Sequence, residues 1–165
     1  MDIRALQKPL KAGYREDPAS SRITLTATGV QGDAPVSCSV DLGRAIQAAE
    51  AHPGVGGPGG AACSGDMLLA ALAACAQITC QMVAAAMEVP VEGVAVTVEG
   101  DLDLQGTLGT RRDVAVGFEE IRVRFDLDAP DADPEALAAL QEKTERYCVV
   151  MQTLAARPRL ATSWS

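Results

Sequence analysis

The chain has 165 residues, enough for one domain and too few for two ordinary ones. Lys and Arg number 14 against 22 Asp and Glu, a net charge of −8, which argues against nucleic acid as a partner. Apolar residues make up 48% and aromatics 3%, so the core must be built mainly from Ala, Val and Leu. The single histidine, His52, excludes a His-rich metal centre, and no metal or bound cofactor is expected. An odd count of five cysteines does not fit a secreted disulfide scaffold.

The N-terminus, Met1 to Arg15, is mixed and charged and lacks the apolar core of a signal peptide. Residues 1–20 are expected to form an extension or arm on a single domain spanning residues 1–165. A cytoplasmic setting, where free thiols persist, is expected. Residues 22–30 alternate Ile23, Leu25 and Ala27 with threonines, and residues 36–40 alternate Val36, Cys38 and Val40 with serines. Both read as half-buried strands joined by a turn at Gln31 to Ala34. Asp41 can cap a short helix running through Ala51. Residues 52–62 are then a Gly/Pro loop. Within it, Gly54-Val55-Gly56-Gly57-Pro58-Gly59 satisfies the letter of a dinucleotide fingerprint, but a helical stretch is expected before it and a proline interrupts it.

A long helix is expected from Ser64 or Gly65 to Glu88, closed by Pro90. Met67 to Met87 carries no charge. Its Ala content, its polar Gln77, Thr79 and Gln81, and its acidic flanks, Asp66 and Glu88, argue for a buried soluble helix rather than a membrane span. At roughly 35 Å it is too long and too apolar for one small domain to surround. A second copy of the chain is therefore expected against it. Val91 to Leu104 and Val114 to Leu127 read as further strands. Asp133-Pro134-Glu135 is a helix start, and the helix continues through Tyr147. Cys148 to Ala156 extends or bends it, and Leu160 to Trp164 could add a last short strand. The pattern is α+β, with antiparallel strands wrapped against an apolar helix.

Cys38 shares a strand face with Val36 and Val40. Cys63 precedes the long helix. Cys80 follows Cys75 by five residues, about 140° around the helix, so those two cannot form one site by themselves. Cys75 and Cys148 each lie in an apolar helical segment, where a buried cysteine usually behaves as a small hydrophobe.

Their flanking sequences alter that weight. Ala62-Cys63-Ser64-Gly65-Asp66-Met67-Leu68-Leu69-Ala70-Ala71-Leu72-Ala73-Ala74-Cys75 resembles the start of the central helix of the OsmC / organic hydroperoxide resistance family. Glu145-Arg146-Tyr147-Cys148-Val149-Val150-Met151-Gln152-Thr153-Leu154 resembles that family's second cysteine motif. The resemblance implies an OsmC-like fold in an intertwined homodimer and a thiol peroxidase acting on organic hydroperoxides in oxidative stress defence. Cys75 would be the peroxidatic thiol and Cys148 the resolving one, with an external dithiol such as a lipoyl group as reductant and no metal or flavin. The family's thiolate is served by an Arg from the first hairpin turn and a Glu ten residues before the cysteine. Here those positions hold Gln31 and Gly65. Asp66 and Arg22 are the candidate substitutes, with Arg15, Arg111, Arg112, Arg122 and Arg124 as further cations. The missing pair also admits a rival reading, a non-catalytic OsmC-like protein that binds a small apolar ligand or partner at the dimer interface.

Overall fold

The computed structural model describes residues 3–24, 28–31, 37–41 and 46–164. In chain order these form helix α1 (Ile3–Glu16), a 3-10 turn (Pro18–Ser21), and strands β1 (Thr28–Gln31), β2 (Ser37–Asp41) and β3 (Ile46–Glu50). A second 3-10 turn (Pro53–Val55) precedes helix α2 (Ser64–Met87), strand β4 (Gly93–Asp101), the one-turn helix α3 (Leu104–Thr107) and strand β5 (Glu120–Asp128). Helices α4 (Pro134–Tyr147) and α5 (Val149–Ala155) follow. The chain divides into two compact units. One comprises Met1–Arg4, Ala71–Val98 and Val123–Ser165; the other comprises Ala5–Ala70 and Glu99–Arg122.

The second unit holds an antiparallel sheet of order β1-β2-β3. Gly29 pairs with Val40, and Ser39 with Ala48. The short helix expected from Asp41 to Ala51 is not formed. Ile46–Glu50 is instead a strand paired along the whole of β2, from Asp41 opposite Ile46 to Ser37 opposite Glu50. The helix-favouring alanines are overridden by this pairing and by burial of Ala49. Of the strand expected over residues 22–30, Thr28 to Val30 lie in β1 and Arg22 to Thr24 are irregular, with residues 25–27 outside the described residues. The expected turn after Gln31, the inward face of residues 25–27 and the surroundings of the Cys38 side chain lie outside the described residues. The N-terminal arm carries α1, a helix that the mixed charge pattern did not announce.

The Gly/Pro loop is fastened to β3. The Glu50 carboxylate accepts from the Gly60 and Ala61 N–H groups at 2.7 and 3.2 Å, and Glu50 N–H donates to Ala62 O. His52 Nδ1 accepts from Gly54 N–H at 3.0 Å and caps the turn. Gly57 is required by space, because a Cβ there would fall 1.6 Å from Ala51 O. The fingerprint-like glycines therefore serve a packed loop.

In the first unit, α2 buries Leu72, Ala76, Cys80 and Ala84, a stripe at four-residue spacing. α2 is also long and apolar enough to cross a membrane. Its C-terminus turns through Glu88, in the left-handed region at φ 59°. Val89 N–H returns to Ala84 O and Glu88 N–H to Ala85 O, satisfying orphan carbonyls before Pro90. Gln77 Nε2 donates to Val94 O at 3.3 Å and ties the helix to β4. β4 and β5 form a two-stranded sheet with Ile121, Val123 and Phe125 on its half-buried face, as their alternation predicts.

α4 starts as the sequence indicates, with the Asp133 carboxylate accepting from Glu135 N–H and Pro134 in the first turn. It buries Leu140 and Thr144, and Cys148 follows at the same spacing. Cys80, Ala84, Val89 and Leu140 form one buried cluster, covered by Val83, Met87, Phe125 and Leu137 among others. The expected strand at Leu160 to Trp164 is absent. No described strand pairs with it, and Leu160 and Trp164 are 88% and 95% exposed.

Thr144 is the exception within this apolar packing. It is 2% exposed, and its Oγ1 makes no full hydrogen bond among the described residues, having only the weakly bonding Cys80 thiol beside it. A buried hydroxyl without a full-strength partner keeps most of its desolvation cost. Thr144→Val, which exchanges the hydroxyl for a methyl of similar size, is expected to raise unfolding stability by about 1 kcal/mol. Denaturant titration of the reduced protein checks this: an unchanged or lower midpoint would contradict it.

Candidate active site

The site is built where α2 meets the junction of α4 and α5. Cys148 is both the residue that ends α4 and the residue that precedes α5, with an extended backbone at φ −70° and ψ 106°. Its N–H still donates to Thr144 O, while its own carbonyl accepts from Gln152 N–H. The chain thus changes direction at Cys148 without leaving those groups unpaired. The expected continuation or bend of the helix after Tyr147 is this break.

The bend leaves the first N–H groups of α5 without intrahelical partners. Those of Val149 and Val150 favour the charged form of the Cys75 sulfur. The Cys148 thiol neighbours that sulfur and favours its charged form, and the Thr79 hydroxyl lies 4.0 Å from it. Cys80 faces Thr144 one turn further along α2, while Leu140 joins the cluster with Cys80 and Ala84. Partners on α4 therefore recede as α2 advances: the two helices run antiparallel, and Cys75 meets Cys148 at the end of the contact.

The three thiols are tuned apart. Burial alone would push the Cys75 thiol up, but the Val150 N–H, the Cys148 thiol, the Thr79 hydroxyl and the Val149 N–H together hold it below the ordinary thiol value. Burial pushes Cys148 up; N–H groups of Met151 and Val150 oppose this, and the neighbouring Cys75 adds to it. Burial also raises Cys80, with Thr144 offsetting part of the effect. Cys75 is half-buried, whereas Cys148 is 0% exposed. One sulfur is thus reachable and disposed to ionise, and its neighbour is enclosed and protonated. Cys63, Cys75, Cys80 and Cys148 are free thiols.

The sequence-predicted supporting residues serve elsewhere. Asp66 Oδ2 accepts from Cys63 N–H at 2.9 Å, and Asp66 N–H points to Cys63 Sγ at 3.5 Å, a reciprocal cap at the start of α2. The Cys63 backbone and side chain hold the Asp66 carboxyl below its usual value. Arg22 is exposed beyond the first 3-10 turn. Among the other cations, Arg111 pairs with Asp113 and Arg124 with Asp126. Arg122 is held by Asp101, Glu120 and Glu99. Gly65 has Phe118 and Cys63 Sγ within 3.5 Å of the place a Cβ would take. No group of three or more His, Cys, Asp or Glu among the described residues could hold a metal ion. Two participants escaped the sequence, the Val149–Val150 N–H pair and Thr79. Thr79 was discernible by its four-residue spacing from Cys75, which places both on one helix face. The N–H pair depends on a helix break that nothing in the local sequence marks.

The chain is a mixed α+β protein built on a long apolar helix that carries Cys75. The sequence matches the family model of OsmC-like proteins over residues 57–163, and the chain belongs to that family. Solved structures share the fold at low identity. An OsmC-like protein of Mycoplasma pneumoniae is 18% identical, with a TM-score of 0.68 over 82% of this chain and 89% of its own. An organic hydroperoxide resistance protein of Legionella pneumophila, also described as a predicted redox protein, is 20% identical, with a TM-score of 0.59 over 81% and 90%. An organic hydroperoxide resistance protein of Elizabethkingia anophelis is 19% identical, with a TM-score of 0.59 over 83% and 91%. Comparison with curated proteins gives no match.

Proposed function

We propose that the protein is a thiol-dependent reductase of organic hydroperoxides, with Cys75 as the attacking thiol and Cys148 as the resolving one. The observation that carries this is the half-buried Cys75 sulfur with the buried Cys148 thiol as its neighbour, where the N–H groups of Val149 and Val150 favour its charged form. The Cys75 thiolate attacks one oxygen of the O–O bond. An S–O bond forms as O–O breaks, and the leaving alkoxide takes a proton from solvent and departs as the alcohol. The Cys148 thiol then condenses with the sulfenic acid; an S–S bond forms and water leaves. An external dithiol, such as a lipoyl group, reduces the disulfide to two thiols and is itself oxidised to a disulfide. The enclosure of Cys148 means that peroxide and reductant both meet Cys75 first. The chemistry requires no metal or flavin, and a reducing cytoplasm would keep both thiols ready.

The same reading takes the working unit as a homodimer. α2 leaves Leu68, Ile78 and Met82 exposed outside its buried stripe, and a second copy would cover such a face. Gln31 and Gly65 in place of the family's Arg and Glu favour the alternative, a ligand-binding protein without turnover. The neutral donors around Cys75 weigh against it, because the sulfur is served without that pair.

Reduced protein mixed with one equivalent of cumene hydroperoxide is expected to consume it, release the alcohol and yield a Cys75–Cys148 disulfide on non-reducing peptide mapping. Unconsumed peroxide, with the thiols shown free beforehand, would reject the enzyme in favour of the binding protein.

A further inference from the structure

Thr79 takes no part in the bond-making steps above, yet its hydroxyl is placed unusually. A helical Thr ordinarily turns its hydroxyl back to the carbonyl four residues earlier. Thr153 does so, donating to Val149 O at 2.8 Å. Thr79 Oγ1 instead has the sulfur of the residue four back, Cys75, as its described contact, at 4.0 Å. The neighbours of that sulfur within its unit are neutral: Thr79 from α2, and the Cys148 thiol with the Val149 and Val150 N–H groups from the α4–α5 junction. Cys148 is the titratable group facing it there. Of the cations in this unit, Arg124 is paired with Asp126 and Arg146 lies over the Tyr147 ring.

We infer that Thr79 is a positioning residue for Cys75, its hydroxyl donating to the thiolate from within α2, so that a set of neutral donors replaces a cation and aims the sulfur at Cys148. The inference rests on Cys75 being the reactive thiol, as proposed above. A hydroxyl lost from this set leaves the thiolate one donor short, so the thiol value must rise and the thiolate fraction near neutral pH must fall. A purely structural Thr would be insensitive to this change.

The test uses the reduced, full-length protein and iodoacetamide over a series of pH values, with each cysteine's labelling rate read by peptide mass spectrometry. Wild-type Cys75 is expected to reach its half-maximal rate at lower pH than Cys80. Thr79→Val is expected to move the Cys75 profile to higher pH and slow its labelling near neutrality by about threefold to tenfold, with Cys80 unchanged. Thr79→Ala should do the same, and Thr79→Ser should restore the wild-type profile. A Cys75 profile in both Val and Ala variants that overlays the wild type, or a Ser variant that behaves like Val, would overturn the inference. Labelling needs no peroxide, so an inactive enzyme and an idle Thr79 give different results.

Discussion

Cys148→Ser is expected to split the reaction in two: the first equivalent of hydroperoxide is still consumed, but no internal disulfide forms and turnover with a dithiol decays as Cys75 is over-oxidised. Ser keeps a hydroxyl donor where the Cys148 thiol now serves the Cys75 sulfur, and the N–H groups of Val149 and Val150 are untouched. The thiolate therefore survives, attacks and becomes a sulfenic acid. With no enclosed thiol to condense with it, that acid is open to further oxidation to the sulfinic and sulfonic forms, which ordinary thiols do not reverse. Intact-mass measurement should show stepwise oxygen addition on Cys75 as peroxide increases. Cys75→Ser removes the nucleophile itself and should lower consumption to the background of peroxide with free dithiol. A Cys75→Ser protein that retains turnover would move the chemistry to another thiol, of which half-buried Cys63 is the accessible one among the described side chains.

Leu140→Ala carries the largest expected cost in stability. Leu140 is 1% exposed and packs in the cluster of Cys80, Ala84 and Val89. Truncation of such a leucine costs about 2–5 kcal/mol, more where surroundings cannot collapse into the space. Here the facing side chains on α2 are small and fixed to a helix, so the void would persist and the cost should fall in the upper half of that range. Against a typical net stability of about 5–15 kcal/mol, the loss is large. A denaturant midpoint that falls sharply with an unchanged slope is the expected result. A loss under about 1 kcal/mol would mean that α4 can move onto α2.

Much of this architecture was legible in the residues. The charge-free run after Asp66, Pro90 beyond Glu88, the alternation from Ile121 to Phe125 and the Asp133-Pro134 start each specify an element through a local rule, and each was found near its expected place. The failures have a common cause. Ile46–Glu50 is a strand because β2 lies beside it, and Leu160 to Trp164 is not one because no described strand does. Pairing is a property of two segments, and one segment's composition cannot declare it. The site divides in the same way. The two cysteines were marked by their motifs, whereas Asp66 and Arg22 were placed by analogy of charge and are occupied or exposed elsewhere. The donors that do serve Cys75 are mostly main-chain N–H groups, present at every residue except proline and so invisible as sequence.

The first unit is assembled from stretches distant along the chain, Ala71–Val98 and Val123–Ser165, and Cys75 and Cys148 lie one in each. A disulfide between them would be a clasp across that unit, joining positions 73 residues apart. In chain-entropy terms such a link withdraws about 4 kcal/mol of freedom from the unfolded ensemble. The oxidised protein would then be the harder one to unfold and the reduced protein the easier. Resistance to heat would rise and fall with the peroxide tone of the surroundings, making the fold itself a gauge of its redox state.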